Sequence, residues 1–345
     1  VALEPLQLAD FTLGEPLGSG STSHVFAAVH RPSGREVAVK MLESSHRDSL
    51  ELRFRLQREA VVLAGVESPH VGRILGFGYE DEHPFLVLER LRGETLADLL
   101  KRQGRVSLTE LAVWVEHLLI GARDCHAAGV IHRDIKPANV FLQDQAPGLA
   151  SAKLIDFGVA RLKEIVHDGR SLTSTHHLLG SMGYMAPEQF QNAKHAGPQT
   201  DVYAIGVVIF RCVSGRLPFV SKSFEALIKM KLEQPCPVLS SMAGVARNER
   251  LDAFVQTALA PHPSSRFDDG KQMLEAWWRV AADLVTDVGF LDEVDVVFED
   301  DIEVTTNTAA GGILGLSDTA VDRTNVTADR PDGADGGDRG EGGGR

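Results

Sequence analysis

Apolar positions divide the chain into an alternating part, a helical part and a part with no period. Three short alternating runs come first, Phe11–Leu17, Val25–Val29 and Glu36–Met41, separated by Gly-Ser-Gly-Ser-Thr-Ser and by Pro-Ser-Gly. Period-two runs broken by glycine and proline predict strands joined by turns. From Asp48 to about Gly65 the spacing becomes helical, with Leu52, Leu56 and Leu63 among the apolar positions. Ile74–Tyr79 and Phe85–Glu89 return to strands. The expected unit is an antiparallel five-stranded sheet with one helix.

After Arg92-Gly93 the periods are helical. Leu96–Gln103, Leu108–Ala128, Thr200–Ser214, Ser223–Glu233, Glu249–Leu259 and Asp269–Leu284 are the predicted helices. Leu108–Ala128 and Thr200–Ser214 are apolar enough to be buried. Beyond Asp287 the period is lost and Asp, Gly and Thr dominate; the end of the chain cannot supply a core and is expected to be disordered. The expected organisation is a lead-in (1–10), a sheet part (11–91), a helical part (92–285) and an acidic tail (286–345), an α+β chain.

Charge belongs to that tail. The net charge is −13, but residues 286–345 hold 15 acidic and 4 basic side chains, leaving 33 acidic and 31 basic over the other 285 residues. The body is therefore near neutral and carries no footprint for nucleic acid. Cys125, Cys212 and Cys236 are isolated, so no disulfide framework or metal-ligand spacing can be built from them. They read as buried thiols of a reducing compartment. No apolar run approaches a membrane span, and residues 1–10 lack the basic start and apolar core of a leader. A cytoplasmic location is the expectation.

The chemistry concentrates in His132-Arg133-Asp134-Ile135-Lys136-Pro137-Ala138-Asn139. One loop here offers a carboxylate for a hydroxyl proton, an ammonium for phosphate charge and an amide oxygen for a hard metal. Phosphoryl transfer asks for little else than such positioning and neutralisation. Leu17-Gly18-Ser19-Gly20-Ser21-Thr22-Ser23-His24-Val25 lies between two predicted strands, where glycines let backbone amides approach phosphates. Alone it reads first as a plain hairpin turn. Val37-Ala38-Val39-Lys40 ends the third strand with a lysine, either solvated or gripping α- and β-phosphates with a helix carboxylate as tether. Glu59 is the better candidate tether and Glu51 the weaker. Lys153-Leu154-Ile155-Asp156-Phe157-Gly158 is a strand ending in an Asp, 22 residues after Asp134, and Met185-Ala186-Pro187-Glu188 follows.

In this order the motifs resemble the eukaryotic-type protein kinases, and within them the bacterial serine/threonine kinases, over about residues 11–282. The third glycine of the family's loop is Ser23 here. The resemblance implies the two-lobed kinase fold, with ATP and Mg²⁺ (or Mn²⁺) between the lobes. It implies Asp134 as catalytic base, Lys136 at the γ-phosphate, and Asn139 and Asp156 as metal ligands. Leu17, Gly18, Ser19, Gly20, Val25, Ala38, Lys40, Glu59 and Phe141 become nucleotide-binding residues. Leu88 flanks the adenine pocket, with Glu89 to Leu91 as hinge. Asp201, in Asp201-Val202-Tyr203-Ala204-Ile205-Gly206, takes a structural role, as does Arg266 paired with Glu188. Lys136 and Ser181 point to serine or threonine as acceptor. A catalytically silent scaffold and a small-molecule phosphotransferase are the rivals; the four charged and amide residues disfavour the first, and the segment ending at Glu188 the second.

Regulation follows from Ser171-Leu172-Thr173-Ser174-Thr175. Thr173 and Thr175 are expected to be autophosphorylated, in trans within a homodimer, with Arg133 receiving the phosphate as a charge-assisted pair. The alternative is an unmodified hydroxyl-rich loop. Thr319-Ala320-Val321-Asp322 matches a phosphothreonine pattern read by forkhead-associated domains, against the plainer reading of a solubilising tail.

Overall fold

The computed structural model describes residues 6–19, 23–42, 60–80, 83–146, 149–157, 182–191, 196–221 and 223–286. The chain divides between Leu291 and Asp292, and the second unit lies outside the described residues.

A six-stranded sheet comes first: β1 (Leu6–Gln7), β2 (Phe11–Ser19), β3 (Ser23–His30), β4 (Arg35–Leu42), β5 (Ile74–Glu80) and β6 (His83–Glu89), in the order β1-β5-β6-β4-β3-β2. The sixth strand corrects the expectation of five. Leu6–Gln7 is too short to alternate, yet it pairs parallel to β5, Leu6 opposite Gly78. A Cβ at Gly78 would collide with the Leu6 carbonyl, so the missing side chain admits the strand. Of the helix expected over 48–65, residues 60–64 are helical and 43–59 lie outside the described residues.

The pleat of β4 decides what faces the cleft. Val37, Val39 and Met41 pack with Phe11, Ala28, Phe85 and Val87 in one apolar cluster. Each fully buried side chain of this kind contributes about 1.5–3 kcal/mol. Ala38 and Lys40 therefore point to the opposite face. Across from them stand Leu88 and Leu86 on β6 and Ala27 and Val25 on β3, which share that face.

The helices are α1 (Leu96–Gln103), α2 (Leu108–Ala127), α3 (Pro187–Gln191), α4 (Pro198–Ser214), α5 (Phe224–Glu233), α6 (Glu249–Ala258) and α7 (Gly270–Thr286). Their starts are chemically marked. Ser107 and Glu110 form a capping box on α2, while Thr95, Ser223 and Asn248 cap α1, α5 and α6. Helix α4 begins with Pro198 and stops at Gly215, whose φ of 75° few other residues adopt. Every residue from Thr200 to Ser214 except Arg211 is buried, so α4 is the axis of this core.

A second sheet, β7 (Gly93–Thr95), β8 (Val140–Ala146) and β9 (Leu149–Leu154), joins the two parts. Val140, Leu142, Ala152 and Leu154 enter the helical core. Phe141 stands opposite Lys153 on the other face. Among the described residues no helix is long and apolar enough to cross a membrane.

Candidate active site

Strands β2 and β3 carry the glycine turn between them. Pro16 pairs with Phe26 and Gly18 with Val25, so Leu17 is an extra residue that bulges from β2. Gly18 is open, with nothing within 4 Å of a notional Cβ. Gly20 lies outside the described residues.

Five of the singled-out side chains converge in one hydrogen-bonded chain. Lys40 Nζ lies 2.5 Å from Asp156 Oδ1. Asn139 Nδ2 donates to the Asp156 carbonyl at 3.4 Å, to the Asp134 carbonyl at 2.8 Å and to Asp134 Oδ2 at 2.9 Å. Lys136 Nζ donates to the same Asp134 oxygen at 2.7 Å. The sequence separations bridged here run from two residues to 116. The fold thus gathers two carboxylates, two ammonium groups and one amide at the mouth between the sheet and the helices.

The two carboxylates differ in exposure. Asp134 and Lys136 expose only 13% and 14% of their side chains, so their pairing is screened less than a surface pair. Asp156 is more open, at 42%. Its donors, with Asn139, are all oxygens, which suits a hard cation such as Mg²⁺ that completes its shell with phosphate and water. Among the described residues no cluster of three or more His, Cys, Asp or Glu could hold a metal unaided. The Lys40 ammonium on Asp156 Oδ1 marks a place where positive charge is already stabilised. A metal held by Asn139 would use its Oδ1, since the amide nitrogen is engaged with Asp134.

The backbone of this loop is strained. Arg133 and Asp156 are the two non-glycine residues with positive φ among the described residues, at 65° and 58°. Such conformations cost about 1–3 kcal/mol each and need over-determined surroundings. Asp201, from the start of α4, supplies them for Arg133. Its Oδ2 accepts from His132 N and its Oδ1 from Arg133 N, both at 2.8 Å. His126 Nε2 lies 2.9 Å from the same carboxylate, while its Nδ1 accepts from Gly270 N, so the ring donates to Asp201. Burial alone would raise the Asp201 carboxyl. Hydrogen bonds from His126 and the Arg133 amide, with the neighbouring His126 and His132 rings, outweigh burial and hold it below its ordinary value.

His132 is buried. Burial pushes its pKa down against the pull of Asp201 and Asp134. Its Nε2 bonds the Ile155 carbonyl at 3.0 Å and its ring stacks on Phe157 at 4.3 Å. The loop and the strand that ends at Asp156 are thereby tied together. The Arg133 guanidinium is different: its Nε is buried and has no hydrogen-bond partner among the described residues.

On the hinge side, Glu89 turns its side chain away from the cleft. Its Oε1 accepts from Arg73 N at 2.9 Å and from Lys153 Nζ at 2.7 Å. Ala38, Val25 and Leu88 line the cleft face described above, and Leu91 is half-buried beyond it. Glu188 accepts from Arg266 at 2.8 and 3.0 Å, and Arg266 caps the carbonyls of Ala260, Pro261 and Gln199. Glu59, Ser181, Thr173 and Thr175 lie outside the described residues.

Two further residues escaped the sequence reading. Gln189 Nε2 donates to the Arg133 carbonyl at 2.9 Å, and its Oε1 accepts from Ala186 N at 2.8 Å. Lys231 on α5 is 1% exposed and grips the segment before α3. A lysine four residues after Leu227, on the same helix face, was the available signal.

With this geometry in place, the family model of the protein kinase domain matches residues 11–278. The chain belongs to the protein kinase family. Among similar relatives of this kinase chain, a probable serine/threonine-protein kinase of Corynebacterium efficiens is 33% identical over 270 residues, covering 76% of the chain and 40% of that relative. PknB of Corynebacterium glutamicum is 32% identical, covering 80% and 43%, and PknL of Mycobacterium tuberculosis is 31% identical, covering 74% and 62%. The chain thus spans less than two thirds of the length of each. The solved structure of Rad53 with AMP-PNP superposes with a TM-score of 0.62 at 24% identity, covering 78% of this chain and 65% of that one, a likeness of fold.

Proposed function

We propose that this chain is a protein serine/threonine kinase that moves the γ-phosphoryl group of ATP to a protein hydroxyl. The observation that carries the reading is the unbroken chain Lys40–Asp156–Asn139–Asp134–Lys136 in a kinase fold. Asp134 orients the acceptor hydroxyl and takes its proton. Its carboxylate is held by Asn139 and Lys136, so it does not turn away from the acceptor. Lys136, beside it, offsets charge on the phosphoryl oxygens in flight. Lys40 and the cleft face of Val25, Ala38 and Leu88 seat the nucleotide, with Leu17, Gly18, Ser19, Gly20 and Phe141 around it, Glu89 to Leu91 as hinge and Glu59 as tether. A divalent ion, Mg²⁺ or Mn²⁺, bound at Asn139 and Asp156 supplies charge neutralisation to the phosphates. We place the lobes at 11–91 and 92–285.

The test is incubation with labelled ATP and casein, wild type against Asp134→Asn, in Mg²⁺ and separately in Mn²⁺. Incorporation by wild type and its loss in the variant supports the reading. No incorporation by wild type in either metal overturns it in favour of a silent scaffold.

The regulatory reading is part of the proposal. The unpartnered buried Nε of Arg133 supports its role as receiver for phosphate on Thr173 or Thr175, delivered by a second copy of the chain. Active enzyme with no phosphate on the 171–175 segment, by mass spectrometry, overturns it. For the tail, a phosphorylated Thr319 peptide that captures no forkhead-associated domain removes that partner. A cytoplasmic location and a role in signalling belong to the same reading.

A further inference from the structure

Lys231 occupies a position that helix periodicity reserves for an apolar side chain. It follows Leu227 by one turn on the buried face of α5 and is 1% exposed. A buried ammonium costs several kcal/mol unless its donors are satisfied. Among the described residues its hydrogen bonds go to backbone: the carbonyls of Met182 at 3.1 Å, Gly183 at 2.7 Å and Met185 at 2.6 Å. Its charge also lies over the rings of Tyr203 at 5.2 Å and Phe190 at 5.9 Å. Methionine or leucine would fill the position without desolvating a charge. The use of the charge is therefore in what it grips.

The gripped segment is next to the chemistry. Met182–Met185 runs into Ala186, whose N–H bonds Gln189, and Gln189 bonds the carbonyl of Arg133, the residue before Asp134. One glutamine side chain thus fixes the segment against the catalytic loop. An acceptor with its hydroxyl on Asp134 must lay its neighbouring residues over an adjacent surface, and Tyr184 and Met185 are half-buried there. Three carbonyls turned inward onto one ammonium hold that surface in a single shape.

We infer that Lys231 is a positioning residue for the protein acceptor, its ammonium holding Met182–Met185 in the form against which the acceptor chain lies. The inference rests on the kinase reading above and adds the residue that sets acceptor fit without touching the nucleotide. Burial pushes the Lys231 amine down to about 7, with Arg266 adding to the depression and Glu188 opposing it. These two and the Tyr203 phenol are the ionisable groups packed around it among the described residues. Loss of the proton removes the charge and one of three donors. The hold therefore weakens as pH rises through that value.

The experiment is steady-state kinetics of the full chain with casein and ATP. For Lys231→Met, which keeps length and packing, the casein KM should rise roughly tenfold while the ATP KM stays within about twofold. In Lys231→Ala, propylammonium added to the assay should lower the casein KM again, and propanol should not. Wild type needs no substitution: from about pH 6 to about pH 8 its casein KM should climb while its ATP KM stays level. An unchanged casein KM in Lys231→Met, or a wild-type casein KM flat across that range if the variants do not fold, overturns the inference. Phosphate transfer with such a result leaves the kinase reading standing; no transfer by wild type removes both.

Discussion

Lys40 and Asp156, 116 residues apart in the chain, meet at 2.5 Å, the ammonium of a sheet strand on a carboxylate two residues past the end of β9. The pair spans the two parts of the fold, so each side chain is held ready by the other. Replacing Lys40 by Met should lower kcat/KM about 10²–10³-fold by removing charge that favours the phosphates. Asp134→Asn should lower kcat by about 10²–10⁴-fold, the usual range for a lost general base, with the ATP KM little changed. Initial rates at varied ATP check both.

Arg266 offers a stability test. Its side chain is fully buried against Glu188, three carbonyls and the Tyr203 ring, at 4.8 Å. Arg266→Ala leaves the largely buried Glu188 carboxylate with the Thr200 hydroxyl in place of a guanidinium and takes the donor from three carbonyls. The expected loss is about 3–5 kcal/mol, read from urea unfolding.

Tyr203 predicts the opposite sign. Its ring meets both the Arg266 guanidinium and the Lys231 ammonium, but its hydroxyl is buried with no hydrogen-bond partner among the described residues. Tyr203→Phe keeps both ring contacts and removes the orphan group. Stability should rise by about 1 kcal/mol, and a fall in the urea midpoint would contradict the assignment.

The acid limb of the stability curve should carry the mark of two stacked histidines. His70 and His117 lie 4.1 Å apart, ring on ring, bonded to the carbonyl and the amide of Ala152. Burial, then the neighbouring His70, pushes His117 down to about 4; burial, then Lys153, lowers His70 despite the Ala152 bond. The unfolded chain binds protons first, near the ordinary histidine pKa of about 6.5, so stability falls as pH drops from there to about 4. His117→Asn keeps an acceptor for Ala152 N and removes that proton site. It should flatten the loss by about 2 kcal/mol, discounting linkage for partial exposure. Urea titrations at a series of pH values measure it.

Much of this was legible in the chain. Val37-Ala38-Val39-Lys40 could be read as the end of a strand, while the choice between a solvated Lys40 and one in the cleft waited on which face of the pleat Val37, Val39 and Met41 bury. The loop from His132 to Asn139 could be read because its chemistry is local. Strands β1, β7 and β8 could not. Leu6–Gln7 and Gly93–Thr95 are too short to show a period, and Gln143-Asp144-Gln145 breaks the apolar pattern of β8. Lys231 was missed for a different reason: its partners are carbonyls, which sequence does not distinguish. The His70–His117 stack joins residues 47 positions apart and has no motif to announce it.

The carboxylate of Asp201 fastens the amides of His132 and Arg133 to the first turn of α4, the most buried helix of the core. Those two amides can exchange with solvent only when that helix lets go. Their deuterium uptake should therefore track global unfolding, as slow as that of Ile205 or Val207, although they sit beside the carboxylate proposed as catalytic base. Loops that carry chemistry are ordinarily drawn from the labile end of a protein's exchange spectrum; this one should be found among the last protons to leave.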